Sequence, residues 1–214
     1  MKIQHVAIIS YGMGNLDSVR RALEVAGASP RVTADPRDIA AADAIVLPGV
    51  GAFGVAMANL GDLGLVEPLT GAVLDDRVPF LGICLGMQLL AEVGTEFGQH
   101  DGLGYIAGSV DLLTPDTPGT RIPHVGWNEV DPTAPHPLFA GIEDRSDFYF
   151  VHSYRFSCAN SSDALATTPY CGGFASVVAR DNIIGVQFHP EKSQSVGLQL
   201  LRNFLGMWGG SAPC

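Results

Sequence analysis

The sequence predicts an α/β fold: an open, mostly parallel twisted sheet with helices on both faces, plus an antiparallel β extension. Strands and helices alternate through the first half of the chain, which is typical of a doubly wound sheet. The strands predicted there are nearly continuous apolar runs, as expected for parallel strands that are covered on both faces. From about residue 102 to 187, shorter strands separated by turn residues indicate the antiparallel extension.

Local periodicity predicts each element in turn. In the first half, apolar runs predict strands over residues 6–10, 30–33, 43–47 and 78–81, and amphipathic patterns predict helices over residues 16–26, 52–60 and 65–75. Gly27 is expected to close the first helix. In the second half, we expect strands over residues 105–113, 129–130, 148–154, 174–179 and 183–188, and a final helix over residues 196–208.

The composition predicts one domain over residues 1–214. With 47% hydrophobic residues, a chain of this length can bury a full core. Its 12 Lys and Arg against 22 Asp and Glu give a formal net charge of −10. This balance argues against binding to nucleic acid or to an anionic membrane, because no basic stripe is available to neutralise phosphates. No segment approaches the roughly 18 apolar residues of a membrane span.

The cysteines and histidines predict neither a metal site nor a disulfide framework. The four cysteines, at positions 84, 158, 171 and 214, form no C-x-x-C pair, and the six histidines form no ligand-spaced cluster. We therefore expect no metal and no cofactor. The N-terminal apolar run is too short for a signal peptide, so we expect a reducing, cytoplasmic location.

The stretch Gly82-Ile83-Cys84-Leu85-Gly86-Met87 carries the strongest chemical signal. It follows an apolar strand and precedes residues 88–93, where Leu85, Leu89 and Val93 would share one helical face. A strand, a sharp turn with two glycines and a helix form the nucleophile elbow, here with cysteine as the nucleophile. The helix N-terminus would favour the thiolate. The alternative is a buried structural cysteine at a strand end.

A cysteine nucleophile needs a base, and the base needs a group that orients it. His189 follows an apolar strand, and Glu191 stands two residues later, so both side chains can point the same way. Pro190 biases His189 towards extended geometry. His152 is the rival base, but it has no carboxylate two residues away. We therefore expect Cys84, His189 and Glu191 to form a catalytic triad.

The segment Pro48-Gly49-Val50-Gly51 directly follows a buried strand and can present backbone N–H groups near the elbow. We expect Val50 and Gly51, together with the amide of Leu85, to form the oxyanion hole. The alternative is a plain strand-to-helix turn that uses glycine for its backbone conformation.

These motifs together resemble the class I glutamine amidotransferases, whose fold is flavodoxin-like. Cys84 within Gly-Ile-Cys-Leu-Gly-Met-Gln and the distant Phe-His-Pro-Glu are similar to that family's triad. Within the class, the chain resembles the glutaminase subunits of imidazole glycerol phosphate synthase, which act in histidine biosynthesis. Motifs covering essentially the whole chain carry this resemblance: Tyr-Gly-Met-Gly-Asn-Leu, Pro-Gly-Val-Gly-Ala-Phe, Pro-His-Val-Gly-Trp-Asn, Tyr-Phe-Val-His-Ser-Tyr and Gln-Phe-His-Pro-Glu-Lys-Ser. Ser10 departs from the family, which usually has an acidic residue there.

The resemblance implies hydrolysis of L-glutamine to glutamate and ammonia through a cysteine thioester. The ammonia would pass to a (β/α)8-barrel cyclase subunit, with which the chain would form a heterodimer, to make imidazole glycerol phosphate and an aminoimidazole carboxamide ribotide. It also implies two further sets of residues. The substrate would contact Gly49, Gln88, Ser153 and Tyr154, and the cyclase interface and ammonia exit would include Asn15, Trp127, Tyr149 and Lys192.

Three alternatives remain open at this point. The elbow and a histidine alone would permit a different cysteine α/β hydrolase or a peptidase. The fold could also belong to a binding module without activity, although the intact Cys84, His189 and Glu191 set argues against this. An amidotransferase subunit of another pathway, such as anthranilate or pyridoxal phosphate synthesis, is the nearest alternative, and Pro-Gly-Val-Gly and Pro-Glu-Lys-Ser favour histidine biosynthesis over it.

Overall fold

A computed structural model describes residues 5–208; the predicted Gly-Gly-Ser-Ala-Pro tail and Cys214 lie outside this range. The strands of the described range are β1 (His5–Ile9), β2 (Ser29–Thr33), β3 (Ala44–Gly49), β4 (Phe80–Cys84), β5 (Val93–Gly94), β6 (His100–Asp101), β7 (Gly108–Leu112), β8 (His124–Pro132), β9 (Ser146–His152), β10 (Tyr154–Cys158), β11 (Ala164–Thr168), β12 (Phe174–Arg180) and β13 (Ile183–Val186).

The helices of the same range are α1 (Leu16–Ala26), α2 (Pro36–Ala40), α3 (Phe53–Asp62), α4 (Val66–Thr70), α5 (Leu85–Gln88) and α6 (Gln194–Met207). Gly27 ends α1 in the left-handed conformation, as predicted. A π-helical turn, Gly71–Asp75, extends α4 over the predicted range. No helix within residues 5–208 has the length and apolar character needed to cross a bilayer.

The sheet is mixed, and its two parts meet at β13. Strands β2, β1, β3, β4 and β13 run parallel in that order. Beyond β13, the sheet continues through antiparallel β12, β10 and β7 to the short β5 and β6, while β11, β8 and β9 branch from β12. The predicted α/β sheet with an antiparallel extension is therefore confirmed.

Two apolar cores cover the two faces of the parallel strands. Alternate side chains of one strand enter opposite cores, so Ile8 lies in one and Ile9 in the other. The first core also contains Leu23 of α1 and Phe204 of α6, and the second contains Phe53 of α3. The helices thus lie on both faces, and the carboxyl ends of the strands stay open at one edge.

The prediction that a helix continues through residues 88–93 is wrong beyond its first turn. Helix α5 ends at Gln88, and Val93 begins β5 instead of continuing the apolar face. The carbonyl groups of residues 89–91 accept hydrogen bonds from the amides of residues 103, 104 and 106. Because those carbonyls are used by a distant segment, the chain leaves the helix, and the expected dipole of a long helix at Cys84 is absent here.

The antiparallel region also differs from the sequence-based boundaries. The strand predicted over residues 148–154 corresponds to β9, which ends at His152; Ser153 separates it from β10, of which only Tyr154 lies in the predicted range. The strand predicted over residues 129–130 is part of the nine-residue β8. Strands β5, β6 and β11 were not predicted, because they are short or lack an alternating apolar pattern.

Candidate active site

Cys84 lies at a sharp turn between β4 and α5. Its backbone has φ +55° and ψ −110°, a conformation that residues other than glycine rarely adopt. Strained backbone of this kind concentrates at functional sites. The side chain is nearly buried and lines a cavity of about 300 Å³. The strand, the strained turn and the short helix form the elbow that the sequence predicts.

The glycines on either side of Cys84 are required by close backbone contacts. A Cβ on Gly82 would lie 2.5 Å from the carbonyl oxygen of Gly86, and a Cβ on Gly86 would overlap the carbonyl oxygen of Leu47. Backbone atoms cannot move aside as a flexible side chain can. Glycine is therefore required at both positions of the elbow.

His189 and Glu191 lie together just after β13. The Nδ1 atom of His189 is 2.7 Å from Oε1 of Glu191, and both side chains are almost fully buried. The Nε2 atom of His189 is also buried, and it has no hydrogen-bond partner in the described part of the chain. The backbone N–H of His189 donates to the carbonyl of Tyr149 at 2.9 Å, which fixes this loop against β9.

The charge environment favours a protonated His189. Burial lowers its pKa, but Cys84 and Glu191 act more strongly in the opposite direction and raise the pKa to about 9. This environment favours the imidazolium form of His189, with Glu191 hydrogen-bonded to its Nδ1.

His152 is kept neutral by burial, and its ring has a different set of hydrogen-bond partners. Its Nδ1–H donates to the carbonyl of Tyr154 at 2.8 Å, so its Nε2 accepts from Nδ1–H of His124 at 3.0 Å. The Nε2 of His124 in turn accepts from the amide of Asn128 at 3.1 Å. Burial lowers the pKa of His152 to about 3 and that of His124 to about 4. Both ring nitrogens of His152 are therefore occupied by hydrogen bonds within the protein.

The oxyanion segment, Pro48-Gly49-Val50-Gly51, lies beside the elbow because β3 and β4 are parallel neighbours. Gly49 is paired with Cys84 in their register. A Cβ on Gly49 would collide with Oη of Tyr11, and Gly51 has φ +131°, which favours glycine. Val50, Gly51 and Leu85 all line the cavity at Cys84. The structure thus brings the three predicted oxyanion-hole residues to the thiol.

Three of the four predicted substrate contacts line the same cavity. Gln88, Ser153 and Tyr154 line it, whereas Gly49 is buried and paired with Cys84 in the register of β3 and β4. The side-chain amide of Gln88 donates to the carbonyl of Tyr154 at 3.1 Å and to Oε1 of Gln187 at 3.0 Å. The position of Gln88 is therefore fixed before any substrate arrives.

Sequence reasoning missed two polar residues of the site. Glu96 lines the cavity from the turn between β5 and β6, strands too short to be predicted. Gln187 is fully buried, and its Nε2 lies 3.8 Å from Sγ of Cys84, within reach of a weak hydrogen bond to sulfur. Gln187 could have been found from its position two residues before His189, on the same side of an extended segment.

The residues expected at the partner interface are partly clustered. Trp127 and Tyr149 are paired across β8 and β9 with ring centroids 6.0 Å apart, and Nζ of Lys192 lies 5.6 Å from the Tyr149 ring centroid. Trp127 is 47% exposed, so these three residues form an open aromatic and basic patch. Asn15 instead caps α1, where its Oδ1 accepts the N–H of Ser18 at 3.3 Å.

No group of three or more His, Cys, Asp or Glu side chains within residues 5–208 is placed to hold a metal ion. The residues gathered at Cys84 offer a cysteine sulfur, an imidazole and backbone N–H groups. Together they can attack a carbonyl carbon, protonate a leaving group and stabilise a tetrahedral oxyanion.

Similar proteins share both the sequence and the fold. Residues 7–207 match the family described as "Glutamine amidotransferase class-I". The "Imidazole glycerol phosphate synthase subunit HisH" of Caulobacter vibrioides is 48% identical over 209 residues, covering 95% of this chain and 98% of that protein. The protein of the same name from Zymomonas mobilis is 50% identical over 205 residues, covering 94% of each chain.

Solved structures with lower identity share the fold. The structure of PurLQS from Thermotoga maritima has a TM-score of 0.73 at 18% identity, covering 97% of this chain and all of that one. A glutamine amidotransferase from the same organism gives a TM-score of 0.68 at 18% identity, covering 99% of this chain and all of that one. This chain belongs to the class I glutamine amidotransferases and, within them, to the HisH family of imidazole glycerol phosphate synthase subunits.

Proposed function

We propose that Cys84, His189 and Glu191 hydrolyse L-glutamine to glutamate and ammonia, and that the ammonia serves imidazole glycerol phosphate synthesis in histidine biosynthesis. The observation that carries the proposal is the strained Cys84 beside an imidazole that Glu191 holds at 2.7 Å. An amidotransferase of another pathway is the alternative; the two relatives described above, at 48% and 50% identity, favour histidine biosynthesis.

In the first half of the reaction, the Cys84 thiolate attacks the carboxamide carbon of glutamine. Negative charge develops on the carboxamide oxygen, where the backbone N–H groups of Leu85 and of the oxyanion segment would stabilise it. The imidazolium of His189 then gives its proton to the amide nitrogen, the C–N bond breaks and ammonia leaves. A γ-glutamyl thioester remains on Cys84.

In the second half, neutral His189 removes a proton from water as the water attacks the thioester. The C–S bond breaks, glutamate leaves, and the thiolate–imidazolium pair forms again. Glu191 keeps the Nδ1 proton of His189 in place throughout, so that Nε2 is the nitrogen that exchanges protons.

The cavity offers complementary groups to the amino-acid end of glutamine. Glu96 is the acidic side chain among the described residues that line it, so its carboxylate suits the α-ammonium group. Gln88 and the backbone at Ser153 and Tyr154 would contact the rest of that end, with Gly49 leaving room beneath. At about 300 Å³, the cavity matches a small amino acid.

We further propose that the patch of Trp127, Tyr149 and Lys192, together with Asn15 at the start of α1, faces a (β/α)8-barrel cyclase subunit in a heterodimer. Both relatives described above are named as subunits of a synthase. The backbone of Tyr149 contacts the His189 loop, so this patch lies next to the site that releases ammonia. Within residues 5–208, Cys158 and Cys171 form no disulfide, which supports a reducing, cytoplasmic location.

Replacing the nucleophile should separate the two activities of the complex. We expect Cys84→Ala to abolish glutamine hydrolysis, because no thiolate remains to form the thioester, while the cyclase still makes product from ammonium salts. Glutamine-dependent and ammonium-dependent product formation are measured in parallel, with Cys158→Ala as the matched control. Substantial glutamine turnover by Cys84→Ala would remove Cys84 from the nucleophile role.

The two histidines should differ in their effects on turnover. His189→Ala should be nearly as inactive as Cys84→Ala, because base and acid are lost together and residues acting as one unit are non-additive. His152→Ala should retain more turnover, because both ring nitrogens of His152 serve structural hydrogen bonds. Glutamine binding and kcat are measured for each variant. Equal losses of kcat with unchanged binding would contradict the assignment of the base.

The raised pKa of His189 predicts a descending limb in the pH profile. The imidazolium is present below a pKa of about 9 and is lost as the pH rises through that value, so ammonia departure should slow above it. Glu191→Gln should move this limb to lower pH, because one of the two groups that raise the pKa loses its charge. The measurement is kcat/KM for glutamine across the neutral and alkaline range. An unchanged limb in Glu191→Gln would contradict the role of Glu191.

Glutaminase activity should be low in the isolated chain and rise on binding the cyclase. Glycine at positions 49 and 51 lets a peptide plane of the oxyanion segment rotate at little steric cost. Loss of one oxyanion donor lowers kcat by about 10²–10³, so a single peptide rotation could account for low activity in the isolated chain. Glutamine hydrolysis is compared for the chain alone, with cyclase, and with cyclase plus its nucleotide ligand. Equal rates of glutamine hydrolysis in all three samples would contradict activation by the cyclase.

A further inference from the structure

Glu96 makes a second contact besides lining the cavity. Its Oε2 accepts the backbone N–H of Phe53, the first residue of α3, at 2.8 Å. The N-cap residue of this helix, Ala52, has no side chain that could do so. A carboxylate 43 residues away in sequence therefore takes the place of a local helix cap.

Close packing holds Glu96 in this position. The β5–β6 hairpin (residues 93–101), which carries Glu96, packs directly on the start of α3. A Cβ on Gly94 would lie 2.6 Å from the buried ring of Phe53, and a Cβ on Gly54 would lie 2.6 Å from the ring of His100. The hairpin and the first turn of α3 are thus packed so closely that no side-chain carbon would fit at Gly94 or at Gly54.

The contact between Glu96 and Phe53 fixes one end of the oxyanion segment. At its other end, Gly49 is held by pairing with Cys84 and by the Tyr11 side chain. Only Ala52 separates Gly51 from Phe53. Val50 and Gly51 therefore lie between two anchors, the sheet on one side and the Glu96 carboxylate on the other.

We infer that Glu96 is a positioning residue for the oxyanion segment as well as the acceptor for the α-ammonium group of glutamine. A carboxylate has two oxygens with about four acceptor sites, so it can accept from the Phe53 amide and from an ammonium group together. Bound substrate would then restrict the motion of the Glu96 side chain, and the oxyanion segment would be best ordered when glutamine is present. This inference rests on the proposed glutaminase function.

The test compares Glu96→Gln with Glu96→Ala in the complex with the cyclase. Glu96→Gln keeps a side-chain oxygen that can accept from the Phe53 amide but loses the charge. We therefore expect KM for L-glutamine to rise about tenfold or more, with kcat within about twofold of the wild type. Glu96→Ala removes both contacts, so kcat should also fall, by about tenfold or more.

Two further measurements separate the outcomes. Asp101→Ala removes an exposed carboxylate from the same hairpin and should leave both constants unchanged. Amide hydrogen exchange at residues 51–53 should be faster in Glu96→Ala than in Glu96→Gln. Equal kcat and equal exchange in the two Glu96 variants would overturn the inference. A wild-type complex that fails to hydrolyse glutamine would overturn the proposed function instead, while the exchange comparison would still test the anchor.

Discussion

The site depends on the parallel register of β3, β4 and β13. This register pairs Gly49 with Cys84 and Val186 with Ile83, so three strands end at one edge of the sheet. A different part of the site lies at the end of each strand: the oxyanion segment at the end of β3, the Cys84 thiol at the end of β4, and the His189 imidazole shortly after β13. A shift of one residue in either pairing would turn the side chains to the opposite face, because successive residues of a strand alternate. The apolar cores on both faces oppose such a shift.

The sequence alone was sufficient to locate those parts of the site that directly follow strands. Residues 43–47, 78–81 and 183–186 form long apolar runs, and their polar or glycine ends could be located without a structure. The glycines at positions 82 and 86 also indicated the elbow. Any larger residue at either position would collide with neighbouring backbone. The parallel half of the fold was predictable for the same reason, because its inner strands β1, β3, β4 and β13 are almost entirely buried.

Residues whose position depends on distant backbone contacts could not be predicted. Leu89 and Val93 fit a helical face in sequence, but carbonyls of residues 89–91 bond to the segment 103–106, and the helix ends early. Glu96 then enters the site on a hairpin whose strands are two residues each. No periodicity can reveal strands that short, and the partner of Glu96 is a backbone amide in a helix that precedes it by 43 residues.

His152 and His189 show why burial alone does not set the role of a histidine. Both are nearly inaccessible, yet the pKa of His152 falls to about 3 and that of His189 rises to about 9. The difference lies in the partners: a neutral histidine and a carbonyl surround His152, whereas a thiol and a carboxylate surround His189. A carboxylate beside a buried ring favours the protonated form of that ring. A ring between neutral groups can only fix the backbone around it, which here is the wall of the cavity at Tyr154.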